Sequence, residues 1–143
     1  MRTAIIIAAA VAAYLLLARL AGTFLSLNDR MNPEPKKTPA PPGTVIHGTM
    51  RTVDVIPALM ETLEKHNPER ARVLLDKEKG LSDALADLKA GETSPWWDSE
   101  EAVIILNDDL FEAMREIAPK GHWFGSHPGD GSDLGFWPDE LAD

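Results

Sequence analysis

Apolar residues fall along this chain in three regimes. Residues 4–18, AIIIAAAVAAYLLLA, form an unbroken apolar run, and residues 32–43 interleave proline with polar residues. From Thr44 onward apolar positions recur at helical spacing until a Gly-rich, aromatic tail takes over. The first run alone would rise about 22 Å as a helix, short of the roughly 30 Å hydrocarbon core. Continued through Arg19 to Leu27 it reaches about 36 Å, and Arg19, near one end, can snorkel to the headgroups. The pattern predicts a single transmembrane helix at about 4–27 inside an N-terminal anchor, residues 1–31. A cleaved signal peptide is the main alternative, because Arg2 precedes a short apolar core. No clean small-x-small site follows, since Ala21 has Arg19 two places before it and Thr23 precedes Phe24. A buried soluble helix is the third reading.

Residues 32–43, NPEPKKTPAPPG, hold five prolines and predict an extended, semi-rigid tether. The acidic domain is then residues 44–143. Thr44 to Val53 is β-branched around Gly48 and suits a short strand. Ile56, Leu59, Met60 and Leu63 fall at helical spacing, which predicts a helix capped by Thr52 or Asp54 and running to about His66. Asn67-Pro68 offers a cap and a proline at the first helical position for a second helix continuing toward Gly80, with Ala71, Leu74 and Leu75 inward. Ser82-Asp83 can open a third, carrying Leu85 and Leu88 and stopped by Gly91. Asp98 with Glu101 has capping-box spacing. Ile105, Leu106, Leu110, Met114 and Ile117 then fit one helix from Ser99 to Ile117.

The tail, His122 to Pro138, holds four of the seven Trp and Phe residues beyond position 43: Trp123, Phe124, Phe136 and Trp137. Two aromatic runs separated by Pro-Gly-Asp-Gly-Ser-Asp predict a β-hairpin with an extended, turn-rich loop. The fold class expected is α+β: three or four helices packed on a small antiparallel sheet with a C-terminal β-hairpin, preceded by a single transmembrane helix.

Charge sharpens the division. Residues 1–43 carry five Lys/Arg and two Asp/Glu, whereas residues 44–143 carry nine against 21. So acidic a domain repels phosphate backbones, which argues against nucleic-acid binding and for a neutral or basic protein partner or a metal cation. Lys and Arg are more numerous on the C-terminal side of the anchor, a lean toward a cytoplasmic domain. Cysteine is absent, which removes disulfides, thiolate zinc sites and thiol catalysis. No cofactor is implied.

His127, Asp130 and Asp133 lie within seven residues, and imidazole with carboxylates can ligate a divalent ion. The spacing is not that of a calcium-binding helix-loop-helix, and Gly and Asp are also the ordinary residues of turns. His127 with either Asp could act as a general base for Ser126 or Ser132, although neither serine sits in a strand-turn-helix elbow. Trp123 and Trp137 have two readings, as hairpin packing or as interface anchors beside the Gly-Asp loop. His47 and His66 read as a strand residue and a helix-end residue. The candidate binding surface is therefore Trp123, His127, Asp130, Asp133 and Trp137, with no catalytic residue assigned.

The segments His47-Gly-Thr-Met-Arg51, Asp54-Val-Ile-Pro-Ala58, Trp97-Asp-Ser-Glu-Glu101 and the tail together resemble a group of small proteins encoded by bacteriophages and bacterial genomes. Members end in a YFGxHPGDGxDxGFW-like motif after Ala-Pro, matched here by Ala118-Pro119 and by Trp123 to Trp137. The resemblance covers most of residues 44–143 and departs at the N-terminus, where the group lacks an anchor. It implies a phage or prophage origin and carries no assigned activity. The expectation is a membrane-tethered, non-enzymatic interaction module at a bacterial inner membrane, single-pass, or a secreted or periplasmic protein if the N-terminus is cleaved. The alternative is a metal-dependent or hydrolytic enzyme using the His127/Asp130/Asp133 loop.

Overall fold

A computed structural model describes residues 36–141 and, N-terminal to them, Arg19 alone. The expected transmembrane helix therefore lies outside the described residues, and among the described residues no helix is long and apolar enough to cross a membrane. The domain runs from Pro35 to Asp143 and is α+β, with four helices and a three-stranded antiparallel sheet among its described residues. In chain order these are β1 (Gly43–Ile46), α1 (Thr52–His66), α2 (Pro68–Lys77), α3 (Lys79–Lys89), a 3-10 turn (Pro95–Asp98), α4, β2 (His122–His127) and β3 (Asp130–Pro138). Helix α4 is one continuous rod built of Glu100–Ile104, Ile105–Leu110 and Phe111–Glu116, the junction residues all keeping right-handed helical angles.

The middle part of α4 is π-helical, and its burial pattern explains why. Ile105 and Leu110 are both buried although five residues apart, a step that a 3.6-residue turn would rotate off the core face. Widening to i→i+5 bonds returns Leu110 to the same side as Ile105. The start of α4 also differs from the expected capping box. Pro95–Asp98 winds as a 3-10 turn, so the cap is Ser99, whose Oγ accepts from Ala102 N–H at 3.1 Å and donates to the Trp96 carbonyl at 2.6 Å. Glu101 instead accepts from the Trp96 indole N–H at 3.1 Å.

Helix α1 spans the expected range but neither predicted cap serves. Arg51 occupies the capping position without a side-chain bond, Thr52 Oγ1 donates to the Trp97 carbonyl, and Asp54 accepts from Thr49 Oγ1 at 2.7 Å. Asn67 caps α2 as its sequence suggests, accepting from Arg70 N–H. Gly80 does not stop a helix; α2 ends at Lys77 and Gly80 lies in the first turn of α3.

The end of the Pro-rich stretch lies on the domain. Thr38 N–H donates to the His66 carbonyl at 2.7 Å and Ala40 N–H to the Ile117 carbonyl at 2.8 Å, with Ala40 only 2% exposed. These are the carbonyls at the C-terminal ends of α1 and α4, which no helical N–H can satisfy. Pro39 between them has no N–H to offer, so Thr38 and Ala40 carry both bonds.

The sheet order is β1-β3-β2, with β3 central. Phe124, Leu134 and Phe136 are buried on its core face, where Phe111 of α4 meets Phe124 edge-on at 5.1 Å. Val55, Ile56, Leu59, Met60 and Leu63 of α1 join the same core, matched by Ala102, Ile105, Leu110, Ala113 and Met114 of α4. Pairing of β1 with β3 depends on Gly135, because a Cβ there would lie 2.3 Å from the Gly43 carbonyl oxygen. Gly135→Ala should therefore cost about 2–3 kcal/mol by forcing backbone apart, while Gly131→Ala, with open space around it, should stay within about 0.5 kcal/mol. Urea unfolding followed by tryptophan fluorescence checks both; equal losses would remove the steric account.

Candidate functional site: the outer face of the hairpin

The tail folds as the expected hairpin, but its loop is shorter than the composition suggests. His127 pairs with Asp130 across a tight Pro128-Gly129 connection, and the next pair is Ser126 with Leu134. Residues 131–133 are therefore extra on β3 and form a bulge, with Asp130 at its base. An Asx-type turn shapes it: Asp130 Oδ1 accepts from the Ser132 amide at 3.0 Å and the Ser132 hydroxyl at 2.8 Å.

Alternation along the strands places Trp123, Gly125 and His127 of β2 beside Gly135 and Trp137 of β3, opposite the core face. Trp123 pairs directly with Trp137, and Gly125 with Gly135. The Trp123 ring lies over Gly125, where a Cβ would come within 2.5 Å of Cζ3. Trp137 is 9% exposed and donates its indole N–H to the Gly125 carbonyl at 2.9 Å. His127 stands edge-on to Trp137 at 4.8 Å, and its Nδ1 accepts from Gly129 N–H at 3.0 Å. Trp137 is thus chiefly hairpin packing, while Trp123 and His127 remain part-exposed.

The partner of Asp130 is not His127. Asp130 Oδ2 lies 2.7 Å from Nε2 of His47, in the segment after β1, and Gly48 N–H donates to the Ser132 carbonyl at 3.3 Å. The bulge is clasped to a residue 83 positions away. Spacing within the tail carries no signal of this contact, and His47 reads as an ordinary strand residue. The hydrogen bond from His47 is the main cause holding the Asp130 carboxyl well below its usual range, at about 2, with Ser132 adding to it. The same bond raises the His47 pKa above its ordinary value, and the Asp133 charge adds to the effect.

The sequence candidates thus share one region but not one cluster. His127 is bonded to neither aspartate in its ring contacts, and Ser132 donates to Asp130 rather than facing an imidazole, so a Ser-His-Asp relay is not assembled. Among the described residues no three His, Asp or Glu side chains are arranged to hold a metal ion. Two polar atoms of the hairpin, Trp123 Nε1 and Asp133 Oδ1, are buried with no hydrogen-bond partner among the described residues. No protein-family model, curated protein or solved structure matches the chain.

The clasp has a defined pH window. A raised His47 pKa contributes stability that is present below about pH 6.5 and lost as pH rises through the folded value. A lowered Asp130 pKa contributes stability present above about pH 4 and lost as pH falls toward 2. Both contributions coexist between about pH 4 and 6.5. In an NMR titration His47 should titrate above the ordinary histidine value, and Asp130→Asn should return it there. An unchanged midpoint in that variant would dissolve the pair.

Proposed function

We propose that this protein is a membrane-tethered interaction module whose docking surface is the outer face of the C-terminal hairpin. The observation that carries the reading is the part-exposed aromatic surface of that face, where Trp123 and His127 stand beside the Gly-Asp loop. The acidic balance of residues 44–143 favours a basic or neutral protein over nucleic acid. The geometry around Asp130 supports binding over hydrolysis, because its carboxylate is spent on His47 and Ser132 and neither contact activates a nucleophile.

The N-terminal apolar run supplies the membrane attachment in this reading. Residues 1–31 anchor the chain in a bacterial inner membrane as a single span, with the domain on the cytoplasmic side, and the tail motif supports a phage or prophage accessory protein. Signal cleavage would make the domain periplasmic or secreted instead, and intact-mass measurement of the expressed chain separates the two.

Affinity capture of the full chain from solubilised host membranes tests the docking surface. The informative variant is His127→Ala with Asp133→Asn, since Trp137 is buried and its loss would unfold the hairpin. Glu64→Ala, exposed on α1, is the control. A protein retained by wild type and control but lost from the hairpin variant is the expected result. Identical retention by all three, or no retained protein, would sink the proposal.

A further inference from the structure

A second surface, distant in sequence from the hairpin, has the makings of a binding site. A cavity of about 460 Å³ opens where the start of α1, the end of α3 and the Glu92-Thr93-Ser94 loop meet the 3-10 turn and α4. Its apolar lining is Val53, Leu88, Trp97 and Val103, and its volume is within the range of pockets that accept a ligand group.

Three further observations converge on it. Leu88 and Val103 are 38% and 47% exposed, Ile104 beside Val103 is 50% exposed, and Met50, next to the lining residue Arg51, is 63% exposed. Four of the six exposed large hydrophobics among the described residues therefore belong to this mouth or adjoin it in sequence, a clustering that isolated surface apolar residues do not produce. Trp97 is part of the lining, 5% exposed, with an indole N–H that has no hydrogen-bond partner among the described residues. The charges lining the cavity are also unbalanced. Arg51 is drawn to Asp54 at 4.0 Å, whereas Glu92 and Asp98 make no ion pair among the described residues. The cavity thus offers an apolar socket whose lining carries two carboxylates against one guanidinium that is already drawn to Asp54.

We infer that this cavity docks a cationic segment of a partner protein, which inserts one bulky apolar side chain between Leu88, Trp97 and Val103 and sets Lys or Arg against Glu92 and Asp98. Charge complementarity selects this occupant over an acidic segment, and the acidic balance of the whole domain draws it in at long range. The inference rests on the reading of the domain as an interaction module but uses a different surface from the hairpin.

The test uses the full chain in nanodiscs, with empty nanodiscs subtracted, and fluorescence anisotropy of short synthetic peptides. Each peptide carries a central Leu, Phe or Trp flanked either by Lys or by Glu. The Lys-flanked peptides should bind, and Val103→Glu should weaken them by about tenfold or more, the scale of losing one buried apolar side chain. Glu92→Gln with Asp98→Asn should weaken them several-fold and flatten the salt dependence. Leu88→Lys is the second socket variant if Val103→Glu loses its native tryptophan spectrum. Glu64→Ala, exposed on α1 and outside both surfaces, should leave peptide binding unchanged, and the hairpin reading stands or falls separately on the capture experiment. Equal binding of Glu-flanked peptides, indifference to both socket variants, or no binding by any peptide would overturn the inference.

Discussion

The close approach of the Gly43 and Gly135 backbones is the constraint on which the sheet rests. β3 must pair with β1 on one side and β2 on the other, and a side chain at 135 would meet the Gly43 carbonyl at 2.3 Å. With that approach in place, Phe136 pairs with Gly43 on one flank and Phe124 on the other, which puts the aromatic core face over α4. The outer face follows from the same register. Gly125 stands opposite Gly135, and the room this leaves is taken by Trp123 lying over Gly125 and by the Trp137 indole bonded to the Gly125 carbonyl.

The bulge adds a long-range contact to this frame. Asp130 opens β3 paired with His127, the three residues after it have no partner on β2, and from that position its carboxylate meets His47. The clasp is exposed, with side chains 58% and 46% accessible, and such a pair contributes little to global stability. Its consequence is local. It fixes the segment after β1 against the hairpin through His47 and Gly48, and a few residues later that segment delivers Thr49 to Asp54 and Arg51 to the start of α1. One end of the segment thus borders the hairpin face and the other borders the cavity lined by Arg51, Thr52 and Val53.

Much of the domain was legible because its signals are local. Apolar spacing located α1, the Asn67-Pro68 pair marked the start of α2, and the paired aromatic runs marked the hairpin. What was not legible depends on distance or on competition between neighbours. Asp98 and Ser99 both qualify as caps, and the 3-10 turn ahead of them decides for Ser99. The π segment is visible only once Ile105 and Leu110 are known to share a face. The Pro-rich stretch reads as a tether throughout, yet two of its few N–H groups find helix-end carbonyls that local sequence does not reveal. Spacing within the tail does not show which groups meet. The imidazole that Asp130 bonds is His47 rather than the nearby His127.

The pairing with His47 bears on what the Asp130 carboxylate can do. A carboxylate shared between an imidazole and a serine hydroxyl is a satisfied structural group, and satisfied groups hold geometry more readily than they start reactions. Four buried polar atoms lack a hydrogen-bond partner among the described residues: Asp133 Oδ1 and Trp123 Nε1 on the hairpin, Trp97 Nε1 at the cavity, and Arg70 Nε on α2. Leaving a buried donor or acceptor unpaired costs about 1–3 kcal/mol, more than the exposed clasp returns. Each of these atoms is enclosed by the domain's own packing, so the cost is carried within the fold and not relieved at its surface.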